Sequence, residues 1–197
     1  MPNESSQTRE RILDAAYDLF AARGVAAVGV DAIVARSGVA KMSLYRHFRS
    51  KEGLILAFLD RREEQWTVNW LESEVLQRAS DPRSRLLAIF DVLDGWFQRD
   101  DFEGCSFLTT LFQSEPGSAV HRAAIEHLEN MRSMIAGLAA AAGLRDPAAF
   151  AQVWHMLIKG AVAAAREGNR DAALQAQHAG VLVLHNWQGF TPRRSVQ

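Results

Sequence analysis

The stretch VDAIVARSGVAKMSLYRHFRSKE, residues 30–52, constrains this 197-residue chain more than any other segment. It predicts two short helices joined by a glycine-containing turn, with a third helix starting at once. Ile33 and Val34 supply apolar positions on the first helix, Ser37-Gly38 ends it, and Val39 buries the turn. Leu44 and Phe48, four residues apart, give the second helix one apolar face. Lys41, Ser43, Tyr45, Arg46 and His47 are left facing outward or at its edges. The pattern is that of a helix-turn-helix, in which the second helix enters a DNA major groove and the first crosses the backbone. The spacing alone is shared by many small helical pairs.

Charge follows the same boundary. The whole chain carries a net charge of −1, which on its own does not suggest a nucleic-acid binder. Residues 1–51 nevertheless hold eight basic and five acidic groups, a balance of +3 that leaves −4 for the rest. From Arg36 to Lys51 there are five bases and no acid. A local positive patch suits phosphate contact without making the whole surface adhesive.

The rest of the chain also reads as helix, and the expected fold is all-α. Ile12, Ala15, Ala16, Leu19 and Phe20 follow a helical period closed by Gly24. A long helix is expected from Ser50-Lys51-Glu52 to about Arg78. Asp81-Pro82 and Asp146-Pro147 each set a capping carboxylate before a proline at the first helical position, and Ser118 is a third cap. These signals predict helices over 82–99, 105–114, 118–142, 147–166 and 171–188, for about nine in all. Residues 1–6 and 190–197 are expected to fray. No apolar run reaches the roughly 18 residues of a membrane helix, and the polar N-terminus is not that of a signal peptide. One cysteine excludes an internal disulfide and agrees with a reducing compartment.

The wording of the motif adds a resemblance. LYRHFRSKEGL closely resembles the recognition-helix signature of the TetR (tetracycline-repressor-like) family of bacterial regulators, and RERILDAAYDLFAARG in front of it matches as well. Together they cover about the first quarter of the chain. The resemblance implies a DNA-binding domain at 1–51 and a helical ligand-binding and dimerisation domain at 52–197. It also implies a cytoplasmic homodimer, joined through its last two helices, that meets an inverted-repeat operator and is released by a small-molecule effector. Such a protein is not an enzyme and needs no cofactor. One departure is Gly29, which stands where relatives commonly carry a capping Ser or Thr; the helix survives it, and a hydroxyl contact to phosphate is lost.

Arg36, Lys41, Met42, Ser43, Tyr45, Arg46, His47 and Lys51 are the residues expected at DNA. Lys41 and Lys51 each stand at a helix start, where the macrodipole disfavours a cation by about 0.3–1 kcal/mol. Either both are simply exposed, or a phosphate lies nearby and is shared with the free backbone N–H groups. The resemblance gives Tyr45 and His47 backbone-contacting roles, though Tyr45 can equally pack on the first helix. Ser43 fits a phosphate contact. Met42 stands where relatives often have glycine and can lie against a thymine methyl, while Arg46 either reads guanine or grips backbone.

The later part is rich in large, soft side chains. Trp66, Trp70, Phe107, Leu111, Met131, Met134 and Trp154 are expected to line a cavity for an apolar or aromatic ligand, against the plainer reading that they are core. His127 and His155 are the polar contacts such a ligand would use, or ordinary core and surface histidines. Cys105 opens a helix after Gly104 and reads best as a small buried hydrophobe. His178 and His185 lack the spacing of a metal site. LIKGAVAAA (157–165) combines small residues with Ile and Val, which lets helices approach closely, and AGVLVLHNW (179–187) is nearly apolar all round, so its outer face needs a partner; together they point to dimerisation. No phosphate loop, nucleophile elbow or paired-carboxylate signature supports an enzyme. The competing reading is an architectural DNA binder without effector, which the acidic, aromatic-rich later part disfavours.

Overall fold

The computed structural model describes residues 4–189, and among them contains helices and connecting turns but no strand. Of the ends expected to fray, 1–3 and 190–197 lie outside the described residues, whereas Glu4 to Ser6 already form the first turn of a helix. The helices are α1 (Glu4–Arg23), α2 (Val30–Ser37), α3 (Lys41–Phe48), α4 (Lys51–Arg62), a π-helical segment (Glu63–Glu72), α5 (Ser73–Arg78), α6 (Pro82–Phe97), α7 (Ser106–Gln113), α8 (Ala119–Ala141), α9 (Pro147–Arg166) and α10 (Ala172–Asn186). Because α4, the π segment and α5 follow without a break, the long helix does end at Arg78, as the sequence suggests. Its middle is wound differently, with hydrogen bonds closing over five residues rather than four.

The punctuation works as the sequence implies. Asp81 accepts from the backbone N–H groups of Arg83 (3.1 Å) and Ser84 (3.0 Å), with Pro82 at the first helical position. Asp146 accepts from Ala149 N–H at 3.3 Å ahead of Pro147, and Ser118 Oγ from His121 N–H at 3.1 Å. Each satisfies donors that the helix itself leaves orphaned.

The chain divides into two compact units. The first comprises Met1–Trp66 and Cys105–Leu128. Its core joins Ile12, Ala16 and Phe20 of α1, Ile33 of α2, Leu44 of α3 and Leu54 and Phe58 of α4 with Phe107, Val120 and Leu128. Phe58 receives the edges of Tyr17 and Phe20, at ring separations of 5.4 and 5.5 Å. Residues 105–128 are therefore part of the packing that holds the N-terminal helices, and Gln113 Oε1 accepts from the Ala26 N–H at 3.1 Å.

The second unit comprises Thr67–Gly104 and Glu129–Gln197. Trp154 on α9 lies against Phe90 of α6 (5.3 Å) and Phe150 (5.0 Å), and α10 crosses close by, with Gly180 where a larger residue would press on the Trp154 ring at 2.9 Å. Gln177 ties α10 to α6 by donating to Leu87 O (3.1 Å) and Asp91 Oδ1 (2.6 Å). Among the described residues one helix, α9, is long and apolar enough to cross a membrane by length and composition, with a mean hydropathy of 1.2. Its Phe150, Ala151, Trp154 and Ile158 are instead buried among the other helices of this unit.

Candidate nucleic-acid interface

The turn between α2 and α3 needs a left-handed residue, and Gly38 provides it at φ 64°, returning its N–H to Val34 O at 3.0 Å. The chain then re-enters helix at Lys41 with Ala40 as the preceding residue, so no side chain caps α3. Gly29 begins α2 in the same uncapped way, as its residue type implies. An uncapped N-terminus without an acid in its first turn leaves N–H groups available to an external anion.

The two faces of α3 are sharply divided. Leu44 and Phe48 are buried, and the Arg9 guanidinium sits over the Phe48 ring at 5.1 Å. On the outer side Met42 is 77% exposed, which a thioether in a monomeric core would not be. Tyr45 and Arg46 are also exposed, and Arg46 Nη2 reaches back to Ser43 Oγ at 3.4 Å. His47 is half-buried beside Phe48, with its Nε2 enclosed and without a hydrogen-bond partner among the described residues. Arg49 closes the helix at φ 65° and ψ −40°, a positive-φ conformation unusual for a residue with a side chain.

Beyond α3 the chain turns tightly. Ser50 caps α4, its Oγ accepting from Gly53 N–H at 3.0 Å. Lys51 opens α4 half-buried, and that burial pulls its ammonium below the ordinary lysine range. Helix α4 is then locked to α1. Arg61 pairs with Asp14 at 2.5 Å and also with Glu10, while Arg62, only 9% exposed, donates to Tyr17 Oη at 2.7 Å.

Two of the bases expected at DNA are already engaged inside the module. Lys41 Nζ meets Asp31 Oδ1 at 2.7 Å, and the hydrogen bond and charge of Asp31 hold the ammonium above its ordinary pKa. Arg36 reaches Asp18 Oδ2 through Nη2 (2.5 Å) and Nε (3.2 Å). Sequence reasoning treated these bases singly and did not find their partners. Asp31 is ten residues from Lys41 and Asp18 eighteen from Arg36, so only the packing of α1, α2 and α3 brings them together.

The residues expected to line a ligand cavity fall in both units: Trp66, Phe107 and Leu111 in the first, Trp70, Met131, Met134 and Trp154 in the second. In the first unit Phe107 stacks on the buried His127 at 5.0 Å. The His127 ring nitrogens face Glu63 Oε2 (3.4 Å) and Asp60 Oδ1 (3.6 Å). In the second unit Trp154 is completely buried and its Nε1 has no hydrogen-bond partner among the described residues, while Trp70 meets Trp96 edge-on at 6.4 Å. Met131 is buried and Met134 partly so. Next to Trp154, His155 is 3% exposed and its pKa is pushed down to about 3, first by burial and then by the charges of Lys159 and Arg132. Among the described residues no group of three or more His, Cys, Asp or Glu is arranged to hold a metal ion.

Residues 12–58, which span α1 to most of α4, match the family of bacterial regulatory proteins of the tetR type. Over 100 residues the chain is 40% identical to an HTH-type transcriptional repressor of Mycobacterium tuberculosis, covering 49% of this chain and 52% of the relative. It is 35% identical over 94 residues to the HTH-type transcriptional activator FasR of Mycolicibacterium smegmatis, covering 48% of this chain and 42% of that one. The chain thus spans about half the length of the curated relatives it matches. Among solved structures, it is similar to a TetR-family transcriptional regulator from Streptomyces coelicolor with a TM-score of 0.81 and 28% identity, over 93% of this chain and 97% of that one. A TetR-type regulator from Streptomyces avermitilis gives a TM-score of 0.78 at 27% identity, over 89% and 96%. The motif, the helix order and the structural likeness agree: residues 12–58 match the tetR family of bacterial regulatory proteins, and the chain is similar in sequence and fold to TetR-family transcriptional regulators.

Proposed function

We propose that this chain is a homodimeric transcriptional regulator that binds an inverted-repeat operator and is released from it by a small apolar or aromatic ligand. The observation that carries the reading is the outer face of α3. Exposed Met42 and Arg46 stand on a helix whose N-terminus no side chain caps. In this reading Met42 and Arg46 meet base edges, while Arg36, Lys41, Ser43, Tyr45, His47 and Lys51 address the phosphates of each half-site. The DNA-binding role belongs to 1–51, and ligand binding and dimerisation to 52–197.

Dimerisation is supported by exposed apolar side chains on the last two helices: Met156 (58%) on α9, and Leu174 (47%) and Leu182 (57%) on α10. Ligand responsiveness is supported more indirectly, by the aromatic and methionine content around Trp66, Trp70, Phe107, Leu111, Met131, Met134 and Trp154. The relatives above carry both signs of regulation in their names, and repression is the sign proposed here, in a cytoplasmic setting.

The test is selection of sites from a randomised DNA pool by the purified protein at near-physiological salt. The expected result is enrichment of an inverted repeat. Retention of DNA without enrichment would replace the reading with an architectural DNA binder, and no retention would overturn it.

A further inference from the structure

We infer that Asp31 is a tethered competitor for DNA phosphate: its carboxylate holds the Lys41 ammonium, so that every complex in which Lys41 grips DNA must first break this pair. The inference rests on the reading of Lys41 as a phosphate contact. The two groups meet at 2.7 Å, and both side chains are open to solvent, Lys41 at 51% and Asp31 at 84%. A pair so exposed is weak and exchanges readily.

The positions of the two residues make the exchange one-sided. Lys41 is the first residue of α3, where the helix dipole disfavours a cation, and Asp31 offsets that cost in the absence of DNA. Asp31 itself lies in the first turn of α2, where the dipole of its own helix stabilises a carboxylate whether or not Lys41 stays. When a phosphate takes Lys41, the cation gains an equivalent anion and Asp31 keeps its helix terminus. The residual cost is a uniform reduction in affinity. Asp31 also blunts the salt response, because the carboxylate left behind takes up a cation from solution as DNA sheds its own.

The experiment measures binding of the intact protein to a random-sequence duplex and to a duplex from site selection, across a series of salt concentrations. The proteins compared are the wild type, Asp31→Asn, Lys41→Ala and the double variant. Asp31→Asn should tighten both complexes about twofold to fivefold per protomer. It should also steepen the log–log salt slope by up to about 0.9 per protomer. In the Lys41→Ala background the same substitution should change neither quantity. Equal tightening in both backgrounds would reduce Asp31 to a general negative charge and overturn the inference. So would an Asp31→Asn variant identical to the wild type. Failure of the wild type to bind either duplex is a separate outcome, which removes the proposed function and the inference with it.

Discussion

Gly53 and the Phe48 carbonyl stand so close that a methyl group on Gly53 would lie 2.2 Å from that oxygen. The end of α3 and the start of α4 are thus seated against each other with no room for a side chain between them. Gly53→Ala must push the two helices apart, an overpacking cost of about 1–3 kcal/mol. Chemical denaturation should read that loss, and DNA affinity should fall further than stability because the tilt of α3 changes. An alanine variant as stable as the wild type would show that the turn yields freely.

Tyr17→Phe tests the brace between α1 and α4. It leaves the ring in place over Phe58 and removes only the hydroxyl that accepts from the nearly buried Arg62 guanidinium. Leaving a buried charged donor without its acceptor costs about 1–3 kcal/mol. The denaturant midpoint should fall accordingly with an unchanged slope, and an unaltered midpoint would mean that water replaces the hydroxyl.

His155 sets an acid limb on stability. Its pKa in the folded chain is about 3, against an ordinary value of 6.5, so below pH 6.5 the unfolded chain binds a proton that the folded chain refuses. Stability is therefore complete above about pH 6.5 and drains as pH falls toward 3, by about 2 kcal/mol between pH 6.5 and 5. His155→Phe should flatten that part of the stability–pH curve, measured by urea unfolding. Curves that stay parallel would assign the acid sensitivity to other groups.

Met42 and Lys51 separate reading from gripping. Met42→Ala touches no core contact and should leave thermal stability unchanged while altering base preference at particular half-site positions in a repeat selection. Lys51→Ala should weaken operator and random DNA by similar factors and lower the salt slope by about 0.9 per protomer. A Met42→Ala variant with unaltered preference and uniformly weaker binding would demote that residue to a backbone contact.

Local chemistry was legible in the sequence and tertiary pairing was not. Asp81-Pro82 and Asp146-Pro147 announce their helices because capping acts within three residues, and α6 and α9 begin where those pairs require. Leu44 and Phe48 fall on one face of α3 for the same short-range reason. The partners of Lys41 and Arg36 depend on how three helices pack, and no spacing rule supplies them. The role of Gly53 depends on a backbone oxygen five residues earlier, with the positive-φ Arg49 between them.

Winding within Glu63–Glu72 was equally hidden, because helical pattern reading assumes that a side chain returns to the same face after three or four positions. In a π-helix the hydrogen bond closes over five residues and each turn holds more than four. A pattern spaced for about 3.6 residues per turn therefore drifts off its face, and the buried residues here, Thr67 and Leu71, stand four apart. The segment thereby carries surplus chain that an α-helix of the same span would not hold. Removing one residue from it would reset the azimuth of everything after it by about 100° around the axis. Val75, now buried, would be swung toward a different bearing without any change to its own surroundings in sequence. The length of this stretch, more than its lettering, decides where the following side chains point.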